Sequence, residues 1–236
     1  MKIRKDLMRN ALGLLILLFL LTIGCSHPLT VKNLSSYSSK MQTPLEKPLT
    51  IGIIPNSGDM NCETIIKEIP QALGNSGADT IIPYHQASSR QVDVIADVTL
   101  RPEYKGSGWN FLINWPGFLV FAPAWHGYVY KVKYDADIAL TDASSKQQIS
   151  SFSLPIELNI RHAAMNRTWT ELSYLEVSAI ALIGGIVFVD FDDNVSELTA
   201  NKVKDVIGEY IAQEIIRKLR ASGKFACVRM TISATG

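Results

Sequence analysis

Two stretches of strict alternation stand out along the chain. Tyr130, Val132, Tyr134, Ala136, Ile138 and Leu140 fall on one side of an extended segment, with Lys131, Lys133, Asp135 and Asp137 on the other. Phe152, Leu154, Ile156, Leu158 and Ile160 repeat the pattern, opposed by Ser151, Ser153, Glu157, Asn159 and Arg161. Successive side chains of a strand point to opposite faces, so a period of two residues marks a half-buried strand. Residues 141–147, Thr-Asp-Ala-Ser-Ser-Lys-Gln, lie between the stretches and are rich in turn formers. The pattern predicts a long amphipathic β-hairpin.

Shorter elements surround it. Residues 49–55 read as a first strand, closed by the turn signal at 56–59, with further strands at 79–83, 92–100 and 225–232. Ile65, Ile66, Ile69 and Leu73 have helical spacing, and Pro70 divides that helix because its ring cannot continue the hydrogen-bond ladder. Val203, Val206, Ile207, Tyr210, Ile211, Ile215 and Leu219 share one face of a second helix. Asn194 or Ser196 is expected to cap its start, and Ser222-Gly223 to close its end. The predicted fold class is α+β: a single mixed or antiparallel sheet packed with two main helices, carrying the long hairpin.

The amino terminus has a different character. Lys2, Arg4, Lys5 and Arg9 precede an apolar run of 13 residues, 11–23, and then Gly24-Cys25. A spanning helix needs roughly 20 apolar residues, so a secretory signal fits better than a membrane span. Gly24-Cys25 resembles the lipobox of bacterial lipoproteins, with Thr22 where that pattern prefers leucine. The resemblance implies cleavage before Cys25, acylation of Cys25 and attachment to a bilayer. Ser26, in place of an aspartate, implies the outer membrane, with the chain facing the periplasm. The expected organisation is a signal peptide at 1–24, a lipidated cysteine and flexible tether at 25–48, and a periplasmic domain at 49–236.

Composition narrows the function. The 236 residues include 23 Lys and Arg against 22 Asp and Glu, and 47% are apolar. Cleavage before Cys25 would remove Lys2, Arg4, Lys5, Arg9 and Asp6, leaving a net charge of −2. Binding of nucleic acid, which calls for a basic excess, has no support. Cys62 and Cys227 are the other cysteines, and an oxidising compartment allows a disulfide between them.

Candidate chemistry is sparse. Residues 106–130 contain no charged side chain and hold eight of the twenty aromatics. Trp109, Phe111, Trp115, Phe118, Phe121, Trp125 and Tyr128 are the candidate partner or membrane contacts, since Trp and Tyr favour bilayer boundaries and interface centres. Burial of this segment as a cover over one end of the sheet is the competing reading. Residues 177–189 form a second uncharged run, expected in the core. His27, His85, His126 and His162 form no spaced ligand pair, and Asp190, Asp192 and Asp193 lack the rest of a calcium loop, so no metal is expected. No phosphate-binding glycine motif or nucleophile elbow is present, and no cofactor is expected.

The element order, with the strand at 49–55, the strand at 93–100, the Asp142-centred turn and the 203–219 helix, loosely resembles periplasmic domains of the TolB amino-terminal kind. It is similar also to domains of curli-secretion and penicillin-binding-protein-activator lipoproteins. The resemblance is one of fold and assigns no activity. The expected role is non-enzymatic: binding or scaffolding in a cell-envelope assembly, with an envelope protein or self-association as partner. A subunit of an oligomeric outer-membrane pore, built from the hairpin, is the first alternative. A periplasmic enzyme of unknown class is the second.

Overall fold

The structure is a computed structural model and describes residues 27–38, 49–85, 91–114, 122–163 and 193–223. Six strands form one mixed sheet: β1 (His27–Val31), β2 (Leu49–Asn56), β3 (Ala78–Ile81), β4 (Val94–Gly106), β5 (Tyr128–Asp142) and β6 (Gln148–Ala163). Their order across the sheet is β1-β6-β5-β4-β2-β3. Among the described residues, five α-helices accompany them: α1 (Met60–Ile66), α2 (Ile69–Asn75), α3 (Asn110–Asn114), α4 (Ala122–Trp125) and α5 (Asp193–Ala221). The α+β fold class is as expected.

The chain gathers into two compact units. Unit one comprises Met1–Lys32, Tyr104–Val132 and Leu158–Val195, and unit two Asn33–Glu103, Lys133–Glu157 and Ser196–Gly236.

In unit two, β2 runs parallel to both β3 and β4, in register from Leu49 opposite Ala78 and from Ile51 opposite Val94. Parallel neighbours need a crossover, and α1 and α2 supply it between β2 and β3. Asp59 starts α1, its carboxylate accepting from the Asn61 amide at 2.8 Å. Pro70 sits in the first turn of α2, where its missing N–H costs no bond, so the divided helix is realised as two. Ile51, Ile53, Ile65, Ile69, Leu73, Val94, Val98, Ile138, Leu140, Ile207, Ile211 and Ile215 are buried and form the core. Helix α5 approaches the α1–α2 corner at Gly208, where a Cβ would lie 2.8 Å from that of Glu68. Lys204, in the same helix, pairs with the Glu68 carboxylate. That contact holds the Lys204 ammonium above its ordinary range.

The hairpin is longer than the alternation predicts, 15 and 16 residues against 11 each. Its turn is organised by Asp142. One carboxylate oxygen accepts from the Ser144 amide (2.9 Å), the Ser144 hydroxyl (2.6 Å) and the Ser145 amide (2.7 Å). Lys146 takes a positive φ of 58° to complete the reversal. Asp142→Ala should therefore cost about 1–3 kcal/mol, because the two amides lose a charged acceptor. Thermal unfolding checks this, and an unchanged midpoint would refute the turn's role.

Several boundaries differ from expectation. The tether expected over 25–48 is structured at its start: β1 pairs antiparallel with β6, His27 opposite Ala163 and Val31 opposite Ile160. A 3-10 turn follows at Leu34–Ser36, and residues 39–48 lie outside the described residues. Helix α5 begins at Asp193, so neither Asn194 nor Ser196 stands before its first turn as a cap. The Ser196 hydroxyl instead accepts from the Asn61 side chain at 3.2 Å. At the other end, Gly223 adopts a φ of 70° and its amide bonds the Arg220 carbonyl, closing the helix as expected. The strand expected at 225–232 lies outside the described residues.

Candidate functional site

The candidate site is built in unit one from the two short helices that interrupt the chain between β4 and β5. Helix α3 lies against α4, and α4 against β1. Asn110, at the start of α3, is fully buried and behaves as a piece of strand. Its side-chain N–H donates to the Val129 carbonyl at 2.9 Å, and its side-chain oxygen accepts from the Val129 amide at 2.7 Å. One amide side chain thus satisfies both main-chain groups of a β5 residue, which a buried backbone requires. The Ser107 amide bonds the same Val129 carbonyl at 3.1 Å. These bonds fix where α3 leaves the sheet.

A second fastening joins α4 to β1. Gly127 has a φ of 71°, and a Cβ there would lie 2.7 Å from the His27 ring and 3.2 Å from the His162 amide. His27 Nδ1 donates to the Ala124 carbonyl at 3.2 Å, and His162 Nδ1 donates to the His27 carbonyl at 3.0 Å. His126 Nδ1 donates to the Gly127 carbonyl at 2.8 Å. Carbonyl oxygens only accept, so these bonds place the proton on Nδ1 of each ring. Three of the four histidines therefore meet at Gly127, although no spacing in the sequence pairs them. Their pairing depends on β1 meeting β6, a contact with no local signal. Among the described residues, no group of three or more His, Cys, Asp or Glu side chains is placed to hold a metal ion.

On this framework the aromatics separate. Trp109 and Trp125 are 69% and 64% exposed, and Leu112 is 45% exposed. Phe111 is half-buried. Tyr128 is fully buried, a correction to its expected role as a contact. It belongs to β5 in phase with Tyr130 and Val132, which are buried as well, and so faces inward. Trp115, Phe118 and Phe121 lie outside the described residues, as do Cys25, Asp190, Asp192 and the apolar run 177–189.

Elsewhere the chemistry is quiet. Cys62 is a free, fully buried thiol in α1, and Cys227, its expected disulfide partner, lies outside the described residues. Burial, with a smaller push from the Asp59 charge, raises the Cys62 thiol to about 12, against a Ser57 hydrogen bond that lowers it. The folded thiol thus keeps its proton where an unfolded one ionises. Its contribution to stability is intact below pH 9 and falls as the pH climbs from 9.0 toward 12. Iodoacetamide should label Cys62 slowly in the folded chain and quickly in urea, since the thiolate is the nucleophile. Equal rates, read by peptide mass, would contradict this. Nearby, Pro55, Ser57, Ile66, Ile82 and Pro83 line a mainly apolar cavity of about 320 Å³, with Glu63 and Lys67 also on its wall.

The hairpin's apolar side is occupied. Tyr134, Ala136, Ile138, Leu140, Ile156, Leu158 and Ile160 are each at most 1% exposed. A place in a barrel wall would require stripping these side chains from the chain's own core. On the polar side, Lys133 pairs with Asp135, and Arg101 with Asp137. No helix among the described residues is long and apolar enough to cross a membrane.

No protein-family model matches the chain. No curated protein matches it. Several solved structures share a loose likeness of fold. Protein XCC0632 from Xanthomonas campestris is 7% identical, the match covering 79% of this chain and 93% of that one, with a TM-score of 0.44. A candidate lipoprotein from Caulobacter crescentus is 9% identical over 75% of this chain and 92% of that one, with a TM-score of 0.33. TolB from Acinetobacter baumannii is 8% identical over 78% of this chain and 31% of that one, with a TM-score of 0.26. At these identities and scores none of them transfers a function to this chain.

Proposed function

We propose that this chain is a lipid-anchored, non-enzymatic binding component of a bacterial cell envelope, held through acylated Cys25 on the periplasmic side of the outer membrane. The observation that carries the reading is the start of β1 at His27, two residues after Cys25. Two residues reach at most roughly 7 Å, so the acyl chains would hold unit one against the bilayer rather than on a long tether. Each buried methylene of an acyl chain contributes about 0.8 kcal/mol, and two or three such chains make attachment stable.

Acylation supplies the location, and the folded units are what is held there. Within unit one, the histidines at Gly127 bond main-chain carbonyls and so serve as fastenings, and within unit two the Cys62 thiol is buried. Cys25→Ala should abolish incorporation of labelled palmitate and move the protein from the membrane pellet to the soluble fraction. An unacylated wild-type chain, or a variant that still fractionates as the wild type does, would refute the anchor.

A further inference from the structure

We propose that the α3–α4 end of unit one is a second membrane contact, with Trp109, Leu112 and Trp125 seated in the polar boundary of the leaflet that receives the Cys25 acyl chains. The proposal rests on the anchor reading above and adds to it a surface of the folded chain.

Three observations converge on a lipid occupant. Leu112 and Trp125 are exposed on neighbouring helices and Trp109 in the turn just before α3, and the other large exposed apolar side chains among the described residues are Met60 and Leu198 of unit two. Residues 106–130 carry no charge, so nothing in the segment resists entry into a headgroup layer on electrostatic grounds. The third observation fixes the place. The chain leading to Cys25 departs from His27, whose ring bonds the Ala124 carbonyl, one residue before Trp125. With at most roughly 7 Å between residue 25 and residue 27, an acyl group entering the bilayer brings α4 to its surface.

The residue types suit that depth. Tryptophan combines a large apolar ring with one N–H donor, and it concentrates where hydrocarbon gives way to headgroups. Leu112 adds apolar area without a polar group to desolvate. Helices α3 and α4 are far too short to span, and Asn110 and His27 fasten them to the sheet. The contact would therefore be shallow and fixed in orientation, setting which face of unit one is turned to the membrane.

The test uses the full acylated chain in vesicles of phosphatidylethanolamine and phosphatidylglycerol with brominated acyl chains, which quench tryptophan on contact. Relative to unbrominated vesicles, emission should fall by about half, since boundary tryptophans touch the upper acyl chain. W109F/W125F, changed only at exposed positions, should lose most of that difference. Unquenched wild-type emission would overturn the proposal, as would a variant quenched as strongly as the wild type. Peptide mass spectrometry of the amino terminus separates this outcome from failure of the anchor. Acylated Cys25 without quenching sinks the aromatic contact alone, whereas quenching of a chain lacking the acyl group sinks the anchor alone.

Discussion

Asn110→Leu should destabilise the protein by about 1–3 kcal/mol, because the Val129 amide loses its acceptor while the Val129 carbonyl keeps only its bond from the Ser107 amide. Leucine fills a similar volume but cannot meet the amide and carbonyl of Val129, which Asn110 bonds at 2.7 and 2.9 Å. Water cannot replace it at a side chain with no exposed surface. Asn110→Asp separates the two bonds: the carboxylate keeps an acceptor for the Val129 amide and lacks the donor for its carbonyl. Urea unfolding followed by circular dichroism measures both variants. A leucine variant within 1 kcal/mol of wild type, on the order of one ordinary surface change, would show that Asn110 does not hold α3 to β5.

Gly127→Ala has an expected loss of about 2–5 kcal/mol: about 1–2 from the left-handed backbone and about 1–3 from overpacking. The φ of 71° is strained for any residue with a Cβ, and the added carbon would meet the His27 ring at 2.7 Å. The ring can turn aside, but the His162 amide at 3.2 Å belongs to β6 and cannot. Trimming His27 in the Gly127→Ala background should recover the part due to the ring and leave the backbone part. Full recovery in that double-mutant cycle, read by urea unfolding, would show that strain at position 127 is negligible.

The parts of the fold that were legible are those whose burial is one-sided and local. The hairpin declared itself because Tyr130 through Leu140 alternate with charged residues, and the buried face is that same face. Its start was hidden because Val129 is apolar, so the polar face of the pattern lapses where the buried face continues to Tyr128. Pro102 and Pro155 look like strand breakers. Yet β4 pairs with β2 only as far as Thr99, and β1 meets β6 only at Ile160 and beyond. Each proline thus lies outside the stretch where β2 or β1 is paired with its strand, and prolines within sheets are confined to such positions. His27–Val31, with Pro28 and a weak pattern, is a strand because β6 offers an edge, which no local preference encodes.

The candidate site was legible in outline and blurred in detail. The uncharged aromatic segment singles out the stretch of chain that carries α3 and α4. Exposure within it depends on packing, which separates exposed Trp109 and Trp125 from buried Tyr128. The position of Tyr128, two residues before Tyr130 in the same alternation, was the signal that placed it inward. The meeting of His27, His126 and His162 had no such signal, since strand pairing across the length of the chain creates it.

The bond from His162 to His27 joins residues 135 apart in sequence. Closing so large a loop is entropically slow, so the first strand of the chain is expected to find its place last. If the chain is exported as proposed, β1 has no docking edge until the end of β6 has emerged. On that reading, the proposed processing before Cys25 would have this interval in which to act. Folding order would then act as a clock, with the proposed maturation preceding completion of the sheet.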